Sequence, residues 1–67
     1  MEEQKSQWPE LVGMDVDRAV EQIKLDNNNV NVIKVPSGSM VTMDYRMDRV
    51  RVYYNDSNIV EITPNIG

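Results

Sequence analysis

Two β-rich segments separated by a long irregular stretch constrain the fold of this chain most. Residues 30–35 are rich in β-branched side chains and are followed by Pro36, which has no backbone amide to donate. Residues 49–54 alternate in polarity and predict a second strand. The twelve residues 37–48 between them are too many for a tight hairpin and enough for a crossover. The sequence therefore predicts that the two strands are parallel.

One amphipathic helix is predicted ahead of the first strand. Asp15 is a favourable N-cap residue, and the asparagines at 27–29 would end the helix, since asparagine tolerates left-handed geometry and competes for backbone hydrogen bonds. The predicted helix spans residues 16–25. Its apolar positions follow the helical period: Val16, Ala19, Val20 and Ile23.

The remaining segments complete a small domain. Residues 55–58 read as a turn, and residues 59–62 are expected to return antiparallel as a third strand. The predicted fold is α+β, with one helix packed on a small mixed sheet and a long exposed loop. Residues 1–7 are polar and predict a flexible N-terminal tail, so the single domain is expected over residues 8–67.

Composition excludes several classes of function. The chain contains no Cys and no His, so thiolate or imidazole metal sites, a cofactor and most hydrolytic chemistry are not expected. Its net charge of −4 disfavours nucleic acid and anionic membranes as partners. No apolar run is long enough for a signal peptide or a membrane span, and the compartment is left open between cytoplasmic and secreted after processing.

The stretch 37–48 is unusual because it is apolar without any regular period. Such long irregular segments are uncommon in compact domains and often functional. Two interpretations remain open from the residues alone: the apolar side chains fold back onto the core, or they are presented to a partner. The side chains in question are Met40, Val41, Met43, Tyr45 and Met47.

Two arginines offer a way to hold such a loop in place. Arg49 and Arg51 lie two apart on the second strand, so both side chains leave the face opposite to the intervening valines. Thr42 and Asp44 are also two apart and flank Met43, which makes them a matching pair of acceptors. The alternative is that these arginines are solvated charges, worth about 0 to 1 kcal/mol each.

The same cations also suggest a different kind of surface. Arg46, Arg49 and Arg51 are interleaved with Tyr45 and Tyr53, and arginine and aromatic side chains are what single-stranded nucleic acids stack on. The acidic net charge and the absence of an RNA-binding motif argue against this alternative.

Four sequence blocks together resemble a known family. They are residues 8–13 (WPELVG), the loop core 38–44 (GSMVTMD), residues 48–52 (DRVRV) and the ending 64–67 (PNIG). In this order and at these separations they are similar to the potato inhibitor I family of serine protease inhibitors. The resemblance runs from Trp8 to Gly67. The Asn run at 27–29 replaces more varied family residues, and Ser37 and Met40 lie at positions where family members differ widely. These differences bear on subsite preference.

The resemblance implies a function and assigns residues to it. The implied reactive bond is Met43-Asp44, in a loop that inhibits by a substrate-like, standard mechanism. The residues implied to hold the loop in place are Arg49, Arg51 and Gly67. The carboxylate of Gly67 is expected to lie near the two arginines. The residues expected to contact the protease are Met40, Val41, Thr42, Tyr45 and Arg46.

The implied protein is a monomer without enzyme activity. The apolar Met43 favours a subtilisin-like or chymotrypsin-like serine protease as partner over a trypsin-like one. The alternative is a non-inhibitory storage or binding protein that has the same fold but a flexible loop. The physiological target protease is not evident from the residues.

Overall fold

A computed structural model describes residues 5–67 and shows one helix packed on a mixed sheet. Within that range the sheet has the strand order β1-β2-β3, with β1 parallel and β3 antiparallel to β2. The predicted α+β class and the parallel pairing of the first two strands are confirmed. The elements are a short 3-10 helix Pro9–Leu11, helix α1 Val16–Asp26, and strands β1 Asn31–Pro36, β2 Arg49–Tyr54 and β3 Asn65–Ile66.

Helix α1 begins at Val16, as predicted, and ends at Asp26, one residue later than predicted. The Asp15 Oδ2 atom accepts hydrogen bonds from the backbone amides of Asp17 and Arg18, over 3.1 and 3.3 Å, which caps the first turn. At the other end Asn27 is extended, with φ of −150°, so the expected left-handed geometry is wrong there. The buried Asn27 side chain instead accepts from the Asn29 amide and donates to the Lys5 carbonyl.

The core lies between α1 and one face of the sheet. Val50 and Val52 of β2 point into it and are fully buried, while Arg49 and Arg51 alternate with them toward the opposite side. Burying each large aliphatic side chain stabilises the fold by about 1.5–3 kcal/mol. The buried valines therefore hold β2, and with it the backbone of both arginines, in a fixed position. The core cluster consists of Trp8, Leu11, Val16, Ala19, Ile23, Val50, Val52 and Val60.

The third strand differs from the prediction. Residues 59–62 form no strand; Ile59 and Val60 make only isolated bridges, to Asp15 and Tyr54 respectively. Because these bridges join two different parts of the chain, no continuous ladder can form there. The antiparallel partner of β2 is instead β3, which is two residues long.

The beginning of the described chain lies beside β3. The Ser6 carbonyl accepts a hydrogen bond from the Ile66 amide over 3.1 Å, and Gln7 bridges to Asn65. Residues 1–4 of the predicted tail lie outside the described residues, and the expected domain start at Trp8 stays a prediction. Among residues 5–67, none of the helices has the length and apolar character needed to cross a membrane.

Candidate functional site

Residues 37–48, here called the connecting segment, join β1 to β2 and have no helix or strand of their own. The side chains of Met40 and Met43 are each 98% exposed, whereas Val41 is half-buried. The interpretation that the apolar side chains fold back onto the core is therefore wrong for these two methionines. Tyr45 and Met47 are also exposed.

Main-chain hydrogen bonds fix both ends of the connecting segment. At its start the Ser37 amide donates to the Tyr54 carbonyl over 2.8 Å, and at its end the Asp48 carbonyl accepts from the Asn31 amide over 2.7 Å. Gly38 has φ of +86°, a conformation that glycine adopts without steric cost. Sequence reasoning missed these anchors because backbone contacts carry no side-chain signature.

Arg49 connects the connecting segment to the end of the described chain. Its Nη2 atom donates to the main-chain oxygen of Asp44 over 2.6 Å, and its Nη1 atom lies 3.4 Å from Asp44 Oδ2. Its Nε atom donates to the main-chain oxygen of Gly67 over 2.7 Å, while the Gly67 amide donates back to the Arg49 carbonyl over 2.8 Å. The Arg49 side chain is only 10% exposed, so solvent competes little for these bonds.

Arg51 makes the corresponding contact on the other side of Met43. Its Nη2 atom donates to Thr42 Oγ1 over 2.9 Å and lies 3.8 Å from Asp44 Oδ1. We call the set formed by Thr42, Asp44, Arg49 and Arg51 the arginine bridge. Through this bridge, the two arginines of β2 bind the residues on both sides of Met43.

The arginine bridge favours the charged form of Asp44. The hydrogen bond with Thr42 lowers the pKa of the Asp44 carboxyl below its ordinary value, backbone hydrogen bonding and the charges of Arg49 and Arg51 lower it further, and partial burial opposes them. A lowered folded-state pKa contributes stability above the unfolded pKa, and this contribution is lost as pH falls through the folded pKa. The bridge is therefore at full strength at neutral pH and weakens only in acid, below the ordinary aspartate range near 4.

The other predicted site residues take no part in the arginine bridge. The ring of Tyr45 lies over Gly67, where an added Cβ atom would be 3.7 Å from the Tyr45 ring. Arg46 is exposed and its Nε atom lies 3.4 Å from Asp48 Oδ1. Met40 and Met43 extend into solvent. The described residues contain no group of acidic side chains arranged to hold a metal ion.

Known proteins resemble this chain over nearly all of its length. A model of the potato inhibitor I family matches residues 1–67. The chain is 49% identical over 63 residues to subtilisin inhibitor CLSI-I of Canavalia lineata, covering 94% of this chain and 95% of that protein. It is 44% identical over 61 residues to eglin C of Hirudo medicinalis, covering 90% and 87%. The crystal structure of bitter gourd trypsin inhibitor matches with a TM-score of 0.94 and 40% identity, covering 97% of this chain and 96% of that one.

Proposed function

The chain belongs to the potato inhibitor I family, and on this basis we propose that it inhibits its target through the connecting segment, with Met43-Asp44 as the reactive bond. As a member of a protease inhibitor family it is not an enzyme. The observation that carries the proposal is the arginine bridge, which attaches Thr42 and Asp44 to β2 while leaving the intervening Met43 98% exposed.

Binding follows from the order of the connecting segment. An extended peptide can add to a protease cleft as a strand, through main-chain hydrogen bonds and a pocket for one side chain. Met43 is the side chain that enters the pocket. Because the arginine bridge already orders its neighbours, little conformational entropy is lost on binding, and affinity can be high.

The same bridge explains why cleavage does not release the inhibitor. The catalytic serine oxygen attacks the Met43 carbonyl carbon, the Met43-Asp44 bond breaks, and the Asp44 nitrogen leaves as an amine after taking a proton. Arg49 binds the Asp44 carbonyl and carboxylate, so this amine remains beside the acyl-enzyme. At such high effective molarity it re-forms the peptide bond faster than water hydrolyses the ester.

The target class is inferred from Met43, because similar relatives are named for different enzymes, subtilisin in one case and trypsin in another. A long uncharged side chain suits the apolar pocket of a subtilisin-like or chymotrypsin-like protease. It offers no cation to the buried carboxylate of a trypsin pocket. We therefore propose that one monomer of this chain binds one molecule of a subtilisin-like or chymotrypsin-like enzyme.

A titration with subtilisin and chymotrypsin tests this function. Equal amounts of inhibitor and enzyme at micromolar concentration should abolish activity toward a peptide substrate, and the loss should persist over hours. A non-inhibitory storage protein with a slack segment would instead be digested while the enzyme keeps full activity. Full residual activity of both enzymes would contradict the proposal.

A further inference from the structure

We propose that the Met43 thioether is a site of reversible oxidation by peroxides, and that the resulting sulfoxide weakens binding to the protease without unfolding the inhibitor. The inference rests on the proposed function, since it concerns the side chain assigned to the protease pocket. Two observations support it: Met43 is almost fully exposed, and the hydrogen bonds of the arginine bridge do not involve the Met43 side chain.

Exposure distinguishes the methionines of the described chain. Met40 and Met43 are each 98% exposed and Met47 is 75% exposed, so an oxidant reaches their sulfur atoms freely. Met14, by contrast, is half-buried and packs against the core cluster. The oxidised positions are therefore expected to lie in the connecting segment.

The reaction needs only a peroxide as co-reactant. The Met43 sulfur donates a lone pair to the outer peroxide oxygen, the O–O bond breaks, and an S–O bond forms. The transferred oxygen gives its proton to the displaced hydroxide, which leaves as water; from an organic peroxide the displaced group is an alkoxide, which takes the same proton and leaves as an alcohol. The sulfur loses two electrons and the peroxide gains them. Methionine sulfoxide reductases reverse the change.

The sulfoxide acts on recognition and leaves the rest of the molecule intact. It is a polar group, so burial in an apolar pocket without a donor removes its hydration and weakens binding. Within residues 5–67 the side chains of Arg49 and Arg51 donate hydrogen bonds to Thr42, Asp44 and Gly67, and none of these bonds involves the Met43 side chain. The thermal unfolding midpoint should thus stay unchanged.

The experiment treats three proteins with hydrogen peroxide and removes the peroxide with catalase before protease is added. They are the parent, Met43→Leu, and the double variant Met40→Leu/Met47→Leu. Each is compared with its own untreated form, so that any change in basal affinity caused by the substitution cancels. Met1 is present in all three proteins. Peptide mass mapping reports which methionines carry oxygen, and inhibition constants are measured against chymotrypsin.

Oxidation should raise the inhibition constants of the parent and of Met40→Leu/Met47→Leu at least tenfold, equivalent to about 1.4 kcal/mol. Met43→Leu should keep the constant of its own untreated form, and methionine sulfoxide reductase should restore the parent.

Three results would overturn the inference while leaving the proposed function standing. They are a Met43 sulfoxide that inhibits as well as the thioether, an equal loss in Met43→Leu, and a Met43 that stays reduced while Met40 or Met47 is oxidised. An untreated parent that inhibits no protease would instead overturn both.

Discussion

Replacing Met43 by lysine is expected to convert an inhibitor of chymotrypsin-like enzymes into an inhibitor of trypsin. The Met43 side chain is 98% exposed, so the substitution should leave the fold and the arginine bridge unchanged. In the trypsin pocket the new ammonium gains an ion pair with the buried carboxylate. In the apolar pocket of chymotrypsin the same charge is desolvated without a partner, which costs several kcal/mol.

The measurement is a pair of inhibition constants for parent and variant. Each ~1.4 kcal/mol corresponds to a tenfold change, so trypsin inhibition should strengthen by orders of magnitude as chymotrypsin inhibition weakens. Met40→Lys is a matched control, because Met40 is equally exposed and lies three residues away. Met40→Lys should leave the ratio of the two constants nearly unchanged. Should both enzymes respond alike to Met43→Lys, Met43 is not the residue that enters the pocket.

Removing the arginine bridge should have the second largest effect. The double variant Arg49→Ala/Arg51→Ala loses the hydrogen bonds to Thr42, to Asp44 and to the main-chain oxygen of Gly67. Asp44 is half exposed and its ion pairs are screened by solvent, so most of the effect comes from the bonds to its carbonyl and to Thr42. Together these contacts contribute about 2–4 kcal/mol, or roughly 30-fold to 900-fold in the inhibition constant.

The double variant should still fold, because Val50 and Val52 keep β2 in the core. It should be cleaved by subtilisin faster than the parent, since the amine formed at Asp44 is no longer held beside the acyl-enzyme. Arg46→Ala is the control for the rate of cleavage: Arg46 is exposed and its side chain pairs with Asp48 outside the bridge, so this variant should be cleaved no faster than the parent. A double variant that folds and inhibits as tightly as the parent would show that Arg49 and Arg51 are merely solvated charges.

The single variants should separate the two sides of the reactive bond. Arg51→Ala removes the hydrogen bond to Thr42, whereas Arg49→Ala removes the hydrogen bonds to the Asp44 carbonyl and to the main-chain oxygen of Gly67. We therefore expect Arg49→Ala to lower the free energy of unfolding more than Arg51→Ala does.

Elements with a strong local pattern were predictable from the sequence. The β-rich segments and the Asp15 cap ahead of an apolar helical period predicted the helix, the first two strands and their parallel pairing. The short strand β3 was missed because two residues cannot display an alternating pattern. The apolar side chains among residues 59–62 predict a strand, but Val60 is buried where the chain passes between Tyr54 and the start of α1.

The side chains of the candidate site were more predictable than its backbone. The spacing of two residues in both Thr42/Asp44 and Arg49/Arg51 predicted their pairing, and the structure brings the four together. That Arg49 binds the carbonyl of Asp44 more closely than its carboxylate could not be predicted, because every residue has a carbonyl. The position of the reactive bond came from family resemblance and stays a prediction.

The most direct test of the central claim is the position of the bond that subtilisin cleaves in the parent protein. The protein is incubated for days with a trace of enzyme, and intact and cleaved forms are quantified by mass spectrometry. We expect one cut, between Met43 and Asp44, and a constant ratio of cleaved to intact protein that is also reached from the isolated cleaved form. A first cut at another bond, or continued digestion into fragments, would contradict it.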